Sequence, residues 1–198
     1  MLGTVNLASG DKVTVTVDLR GLIQIEINEA TYGSVIDLET GETAKDAIAN
    51  SGTLKAHQVI LSAKTADAIF ENSINQTGII KANNSSEENG VIHLYANKAI
   101  QASGTLDASK GSVDVVTQDI IKVNDTLNTV GDTTLAAEKD ILVNADIVTE
   151  SGSHSLLADN DFDGTGAVKQ AQGTTISTVN FGNITIQSSG DSILANIT

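Results

Sequence analysis

The chain has 198 residues with 25 Asp and Glu against 11 Lys and Arg, a formal charge of −14 at pH 7, and no Cys, Trp or Pro. This charge disfavours nucleic acid phosphates and anionic lipid as partners, and the lack of cysteine excludes a disulfide framework and thiol catalysis. Aromatic residues make up only 3%, so a core must be built from Val, Ile, Leu and Ala rather than rings; no 18-residue apolar run is present to insert in a membrane as a helix.

Taken in order, Gly3-Thr4-Val5-Asn6-Leu7-Ala8-Ser9-Gly10 and Val13-Thr14-Val15-Thr16-Val17 predict two strands joined by a Gly-Asp turn, and Leu22-Ile23-Gln24-Ile25-Glu26-Ile27 predicts a third. Residues 28–50 break the pattern. Within them, residues 33–41 read as a loop insertion, and Thr43-Ala44-Lys45-Asp46-Ala47-Ile48-Ala49 as a short helix or the approach to the next strand. From residue 50 to 116 the chain repeats itself. Ser51-Gly52-Thr53-Leu54-Lys55-Ala56 returns as Thr77-Gly78-Ile79-Ile80-Lys81-Ala82 and as Ser103-Gly104-Thr105-Leu106-Asp107-Ala108, with Leu54, Ile80 and Leu106 spaced by 26 residues. Gly52, Gly78 and Gly104 keep the same spacing. Each copy alternates apolar and polar residues and precedes a second alternating run at residues 59–63, 91–96 or 113–116. A third short run follows at Ala68-Ile69, Ala99-Ile100 or Ile120-Ile121. Residues 83–89, Asn-Asn-Ser-Ser-Glu-Glu-Asn, read as a solvated corner loop.

Beyond residue 116 the coils shorten, with runs at 126–128, 134–137, 140–143, 146–148, 155–158, 174–179, 183–187 and 193–195. The marker spacing drops from 26 to 21 between Leu106 and Leu127 and stretches again around residues 159–173. Fixed-period repetition without a helical period predicts an all-β parallel β-helix, a solenoid with loop insertions. The absence of proline suits such coil-to-coil pairing. One segment, residues 1–198, is expected: less regular N-terminal coils over 1–49, regular coils over 50–116, and coils of variable length over 117–198 with an acidic loop at 159–166. Seven to eight coils at roughly 4.8 Å each would make a rod on the order of 40 Å long. Met1-Leu2-Gly3 leads straight into a β-type run without a basic or apolar leader, so any export signal is expected outside this sequence. Neither end carries an evident polar cap, which predicts a piece of a longer polypeptide.

The sharpest local motif is Asp159-Asn160-Asp161-Phe162-Asp163-Gly164-Thr165-Gly166. Alternate carboxylates followed by glycine suit a hard cation, so Asp159, Asp161 and Asp163 are candidate calcium ligands. The twelfth position is Gln170 rather than a bidentate Glu, so the loop is not an EF-hand. The alternative is a solvated acidic corner. His57, His93 and His154 fall at different phases of the repeat and are expected to be structural or surface residues, because zinc needs convergent ligands. No nucleophile elbow is present, and Arg20 is the only arginine. These features disfavour an enzyme, although a polysaccharide lyase or hydrolase stands as the alternative reading. Thr14, Thr16, Thr174, Thr175 and Thr178 do not repeat coil after coil as an ice-binding face requires.

The order and spacing of residues 3–13, 50–56 and 103–109 resemble the filamentous-haemagglutinin family of two-partner secretion exoproteins. The likeness covers residues 3–116 well and the remainder in general repeat style. It implies a right-handed β-helix, export through an outer-membrane β-barrel transporter, and adhesion at the cell surface. The family's Asn-Pro-Asn-Gly motif is missing, as the chain has no proline, so the resemblance implies either the segment just beyond the secretion domain or a truncated reading frame. The expected function is therefore a rigid rod of a secreted or surface-exposed adhesin. Its loops at residues 33–41, 83–89 and 159–166 would meet a receptor or glycan on a host or neighbouring cell.

Overall fold

A computed structural model describes residues 3–17, 23–82 and 89–198. All the regular elements among them are strands. A sheet of 12 strands bends round a corner to supply two faces, a sheet of 6 strands supplies the third, and one antiparallel pair stands apart. This is an all-β, solenoid-like stack of parallel strands.

The chain visits the faces in a fixed order. The first face stacks Asp46–Asn50, Asn72–Gln76, Ile100–Ala102, Ile121–Val123, Ile141–Val143 and Val168–Gln170. The second begins with Thr53–Ala56 and Ile79–Ala82, and the third with Thr4–Ser9, Gln58–Ala63 and Val91–Ala96. The long strands Gly104–Thr117 and Leu127–Ala137 run through the corner between the second and third faces.

Alternation explains this arrangement. Gln58–Ala63 reads buried at every second residue, and parallel pairing brings the buried positions of successive coils into line. Ile48, Ile74, Ile100, Ile121, Ile141 and Val168 form one such ladder. Leu61, Leu94, Val115, Leu135 and Leu156 form another. The ladders merge into one aliphatic core, whose burial away from water drives the stacking.

Leu54, Ile80 and Leu106 are direct cross-strand partners. The step from Leu106 to Leu127 is not a continuation: Leu106 pairs with Thr129, and Leu127 pairs with Gly104. The cause is a corner of changed length. Ser103 alone joins Ile100–Ala102 to the next strand, whereas Asn124, Asp125 and Thr126 fill the equivalent corner one coil later.

The corners are polar or backbone-only. Asn50 Nδ2 donates to Gln76 Oε1 at 2.8 Å; further on, Asn124 Nδ2 donates to Gln101 Oε1 at 2.6 Å and Asn144 Nδ2 to Asn124 Oδ1 at 2.9 Å. Such amide ladders satisfy groups at the corners where the regular strand pairing breaks off. At the next corner Gly111, Gly131, Gly152 and Gly182 stack on one another. A Cβ on Gly131 would stand 2.7 Å from the Gly111 carbonyl oxygen, and its φ of 104° is unsuited to other residues.

Several expectations change. Residues 67–69 are turn and bend, with Ala68 at φ 58°, and the strand lies at Asn72–Gln76. Residues 43–49 are neither a helix nor merely the approach to a strand, because Asp46–Asn50 is itself a strand of the first face. Val168–Gln170 and the pairing of Asn196–Ile197 were not evident from periodicity. Within residues 1–49, Thr4–Ser9 joins the stack by pairing with Gln58–Ala63. Lys12–Val17 and Ile23–Glu29 instead pair with each other antiparallel, because their matched alternation lets each strand satisfy its neighbour locally. Arg20 and residues 83–88 of the proposed corner loop lie outside the described residues.

Candidate functional site

The acidic loop follows the strand His154–Ala158 at the point where the chain must turn toward Val168–Gln170. Asp159 and Phe162 both take left-handed backbone conformations, at φ 60° each. Asp159 is buried. Its Oδ2 accepts a hydrogen bond from Ser189 Oγ, and its Oδ1 one from the Gly164 N–H at 3.2 Å. The Ser189 hydroxyl and the backbone donor hold the Asp159 carboxyl below its usual range, so it is ionised at neutral pH. Asp163 Oδ1 accepts from the Thr165 N–H at 2.8 Å and from its hydroxyl at 2.6 Å. Oxygen atoms of Asp159, Asp161 and Asp163 come within 4.8 Å of one another. The structure therefore brings all three sequence-predicted residues together. As oxygen donors they fit a calcium ion, although two of them already stitch the loop to itself and to Ser189.

The loop at residues 33–41 is ordered by Asp37. Its Oδ1 accepts the Glu39 and Thr40 N–H groups at 2.8 and 3.1 Å, and its carbonyl accepts the Gly41 N–H at 2.8 Å. The Thr40 and Glu39 donors also lower the Asp37 pKa. This turn carries Leu38 at 97% exposure, with Val35 and Ile36 exposed beside it. A fixed turn that holds out aliphatic side chains presents contact surface without first having to order itself.

The histidines do not converge. His154 lies inside the core with 0% exposure, in register with Thr133 and Ile184. Its Nδ1 is 3.0 Å from Thr149 Oγ1, which lies 2.9 Å from Thr129 Oγ1, while Nε2 is buried without a partner. Burial pushes its pKa down to about 4. The neutral tautomer with Nδ1–H donating to Thr149 leaves only an acceptor unmatched, the less costly of the two arrangements. His57 sits at the corner before Gln58–Ala63, where its backbone bonds Gly3 and Val91.

His93 points outward on the third face. Its Nδ1 is 3.1 Å from Asp114 Oδ2 and 3.2 Å from the Tyr95 hydroxyl, and the two rings stack with centroids 5.3 Å apart. One nitrogen carries one hydrogen, so the carboxylate takes the Nδ1–H bond and the Tyr95 oxygen is a secondary neighbour. Burial, and then the charge of Asp114, raise the Tyr95 pKa, keeping its hydroxyl protonated. Ser112 Oγ bonds the carboxylate at 3.4 Å rather than the imidazole. A hydrolase triad needs the imidazole between nucleophile and carboxylate, and this cluster has the opposite order. Sequence reasoning missed the cluster. Its signal was the outward phase shared by His93 and Tyr95, two residues apart on one strand.

No protein-family model, curated protein or solved structure matches this chain.

Proposed function

We propose that the chain is a rigid rod segment of a secreted or surface-exposed bacterial adhesin of the filamentous-haemagglutinin type, wound as a right-handed β-helix of seven to eight coils. The observation that carries this reading is the division of labour across the strands. Inward positions are aliphatic and repeat from coil to coil, while corners project ordered loops of unrelated sequence at residues 33–41 and 159–166. A stack of this kind supplies stiffness through backbone pairing and leaves its outer surface free for contact. The exposed Leu38, Ile36 and Val35 supply apolar contact at one loop, and the acidic loop supplies charge, with calcium as its candidate ion. Export would use an outer-membrane β-barrel transporter, and the partner would be a receptor or glycan on a host or neighbouring cell. The test is attachment of cells displaying the full protein, with Leu38→Ser and Ile36→Ser together in one variant and residues 159–166 replaced by a short Gly-Ser linker in another. Attachment is expected to fall with unchanged surface display. Unchanged attachment in both variants would remove these loops from the adhesive role.

A further inference from the structure

We infer that the groove between the antiparallel hairpin and the outer side of the third face binds a neutral oligosaccharide. The hairpin of Lys12–Val17 and Ile23–Glu29 places Thr16, Gln24 and Glu26 opposite Asn6, Gln58, Ser62 and Tyr95, around a cavity of 510 Å³. A second cavity of 380 Å³ shares Ile25, Ser62 and Tyr95 with the first and continues past Asn97 and Gln118 of later coils. The two form an elongated concave site, larger than a single sugar ring needs.

Its chemistry is selective. The larger cavity is lined by amides, hydroxyls, one carboxylate, one aromatic ring and the side chains of Ile25 and Ile60, with no Lys, Arg or His among the described residues that line it, and the smaller one adds Lys64 and Glu138. Amides and hydroxyls both donate and accept, which matches the paired donors and acceptors of adjacent sugar hydroxyls. Tyr95 is 41% exposed where the cavities meet, and its ring offers an apolar face to sugar C–H groups. That ring stacks on His93 of the same strand, which is itself anchored by Asp114. Asn6 lines the same cavity, and its Oδ1 is buried without a hydrogen-bond partner.

Other ligand classes fit less well. Glu26 and Glu138 outnumber Lys64 along the two cavities, and with the net charge of −14 they disfavour phosphates and uronic acids. An extended peptide would need a free strand edge, but the floor strand Gln58–Ala63 is already paired on both sides, with Thr4–Ser9 and Val91–Ala96. The floor of the groove therefore offers only side chains, and an added strand could pair only with the hairpin.

This inference deepens the contact role proposed above, yet it is tested without cells, so either can fail alone. The purified full chain is titrated calorimetrically with the neutral trisaccharides of glucose, galactose and N-acetylglucosamine, and with trigalacturonate. At least one neutral trisaccharide is expected to bind with a Kd of about 1 mM or tighter. Tyr95→Ala should weaken that binding by about tenfold or more, whereas Tyr95→Phe, which keeps the ring, should retain it. Circular dichroism controls for folding of each variant. Binding by none of the neutral sugars, tighter binding of trigalacturonate, or unchanged affinity in a folded Tyr95→Ala variant would each overturn the proposal.

Discussion

Acidification tests the placement of His154. Its imidazole is fully buried and bonded only through Nδ1 to Thr149, and its pKa falls from 6.5 to about 4 on folding. A depressed histidine pKa means that the unfolded chain binds the proton first. Stability is then complete above pH 6.5 and is lost as pH falls toward 4, with the unfolded state holding more protons throughout that window. At 1.36 kcal/mol per pKa unit the whole effect is about 3 kcal/mol, of which about 2 kcal/mol should be gone by pH 5. The carboxylates held below their usual range, Asp37, Asp67 and Asp159, lose their contribution only at pH values below about 4, so the two effects separate. Urea unfolding at pH 8 and pH 5 should be compared for the natural chain and for His154→Leu. The leucine fills the ladder between Thr133 and Ile184 and leaves the Thr149 to Thr129 contact in place. The variant should lose less stability than the natural chain on acidification, by about 2 kcal/mol at pH 5. Equal losses in the two proteins would refute the burial of a neutral imidazole. Because every other titratable group is common to the two proteins, the difference isolates His154.

Three further outcomes follow from the packing. Gly131→Ala, whose Cβ would stand 2.7 Å from the Gly111 carbonyl oxygen at a φ of 104°, should lower stability in urea by about 2 kcal/mol or more. Gly33→Ala meets nothing within 4 Å and should stay within about 0.5 kcal/mol of the natural chain. Ile121→Ala opens a cavity in the ladder between Ile100 and Ile141 and should cost about 2–5 kcal/mol by the same assay. Excess calcium over chelator should raise the thermal midpoint, and Asp161→Asn with Asp163→Asn should abolish the rise; an unchanged midpoint in the natural chain would remove calcium from the acidic loop.

The legible parts of the fold are those where local alternation and long-range register coincide. Leu54, Ile80 and Leu106 share a spacing and also pair in space, so one signal reported both. Leu127 broke the rule because a longer corner at residues 124–126 moved the register, and a corner's length is not encoded in strand periodicity. Asn72–Gln76 escaped notice because Ile74 is its only aliphatic residue. The hairpin was visible as two strands, but alternation does not name a strand's partner, and Lys12–Val17 chose Ile23–Glu29 over the stack. The three carboxylates of the acidic loop are close in sequence and so were foreseen together, whereas Ser189, 30 residues on, arrives only through the next coil.

That contrast locates where function can be written in such a chain. On the third face, the inward positions Leu61, Leu94 and Val115 stay aliphatic because each packs against the next coil. The outward neighbours between them are free of that demand. Ile60, His93 and Asp114 occupy one outward row, and Ser62, Tyr95 and Val116 the adjacent one. Packing has no reason to place an imidazole beside a carboxylate, or an aromatic ring among small residues, in a chain with 3% aromatics. The departure from repetition on this outer face, under the one antiparallel hairpin among the described residues, is therefore the strongest structural argument that the third face is a contact surface rather than a passive wall of the rod.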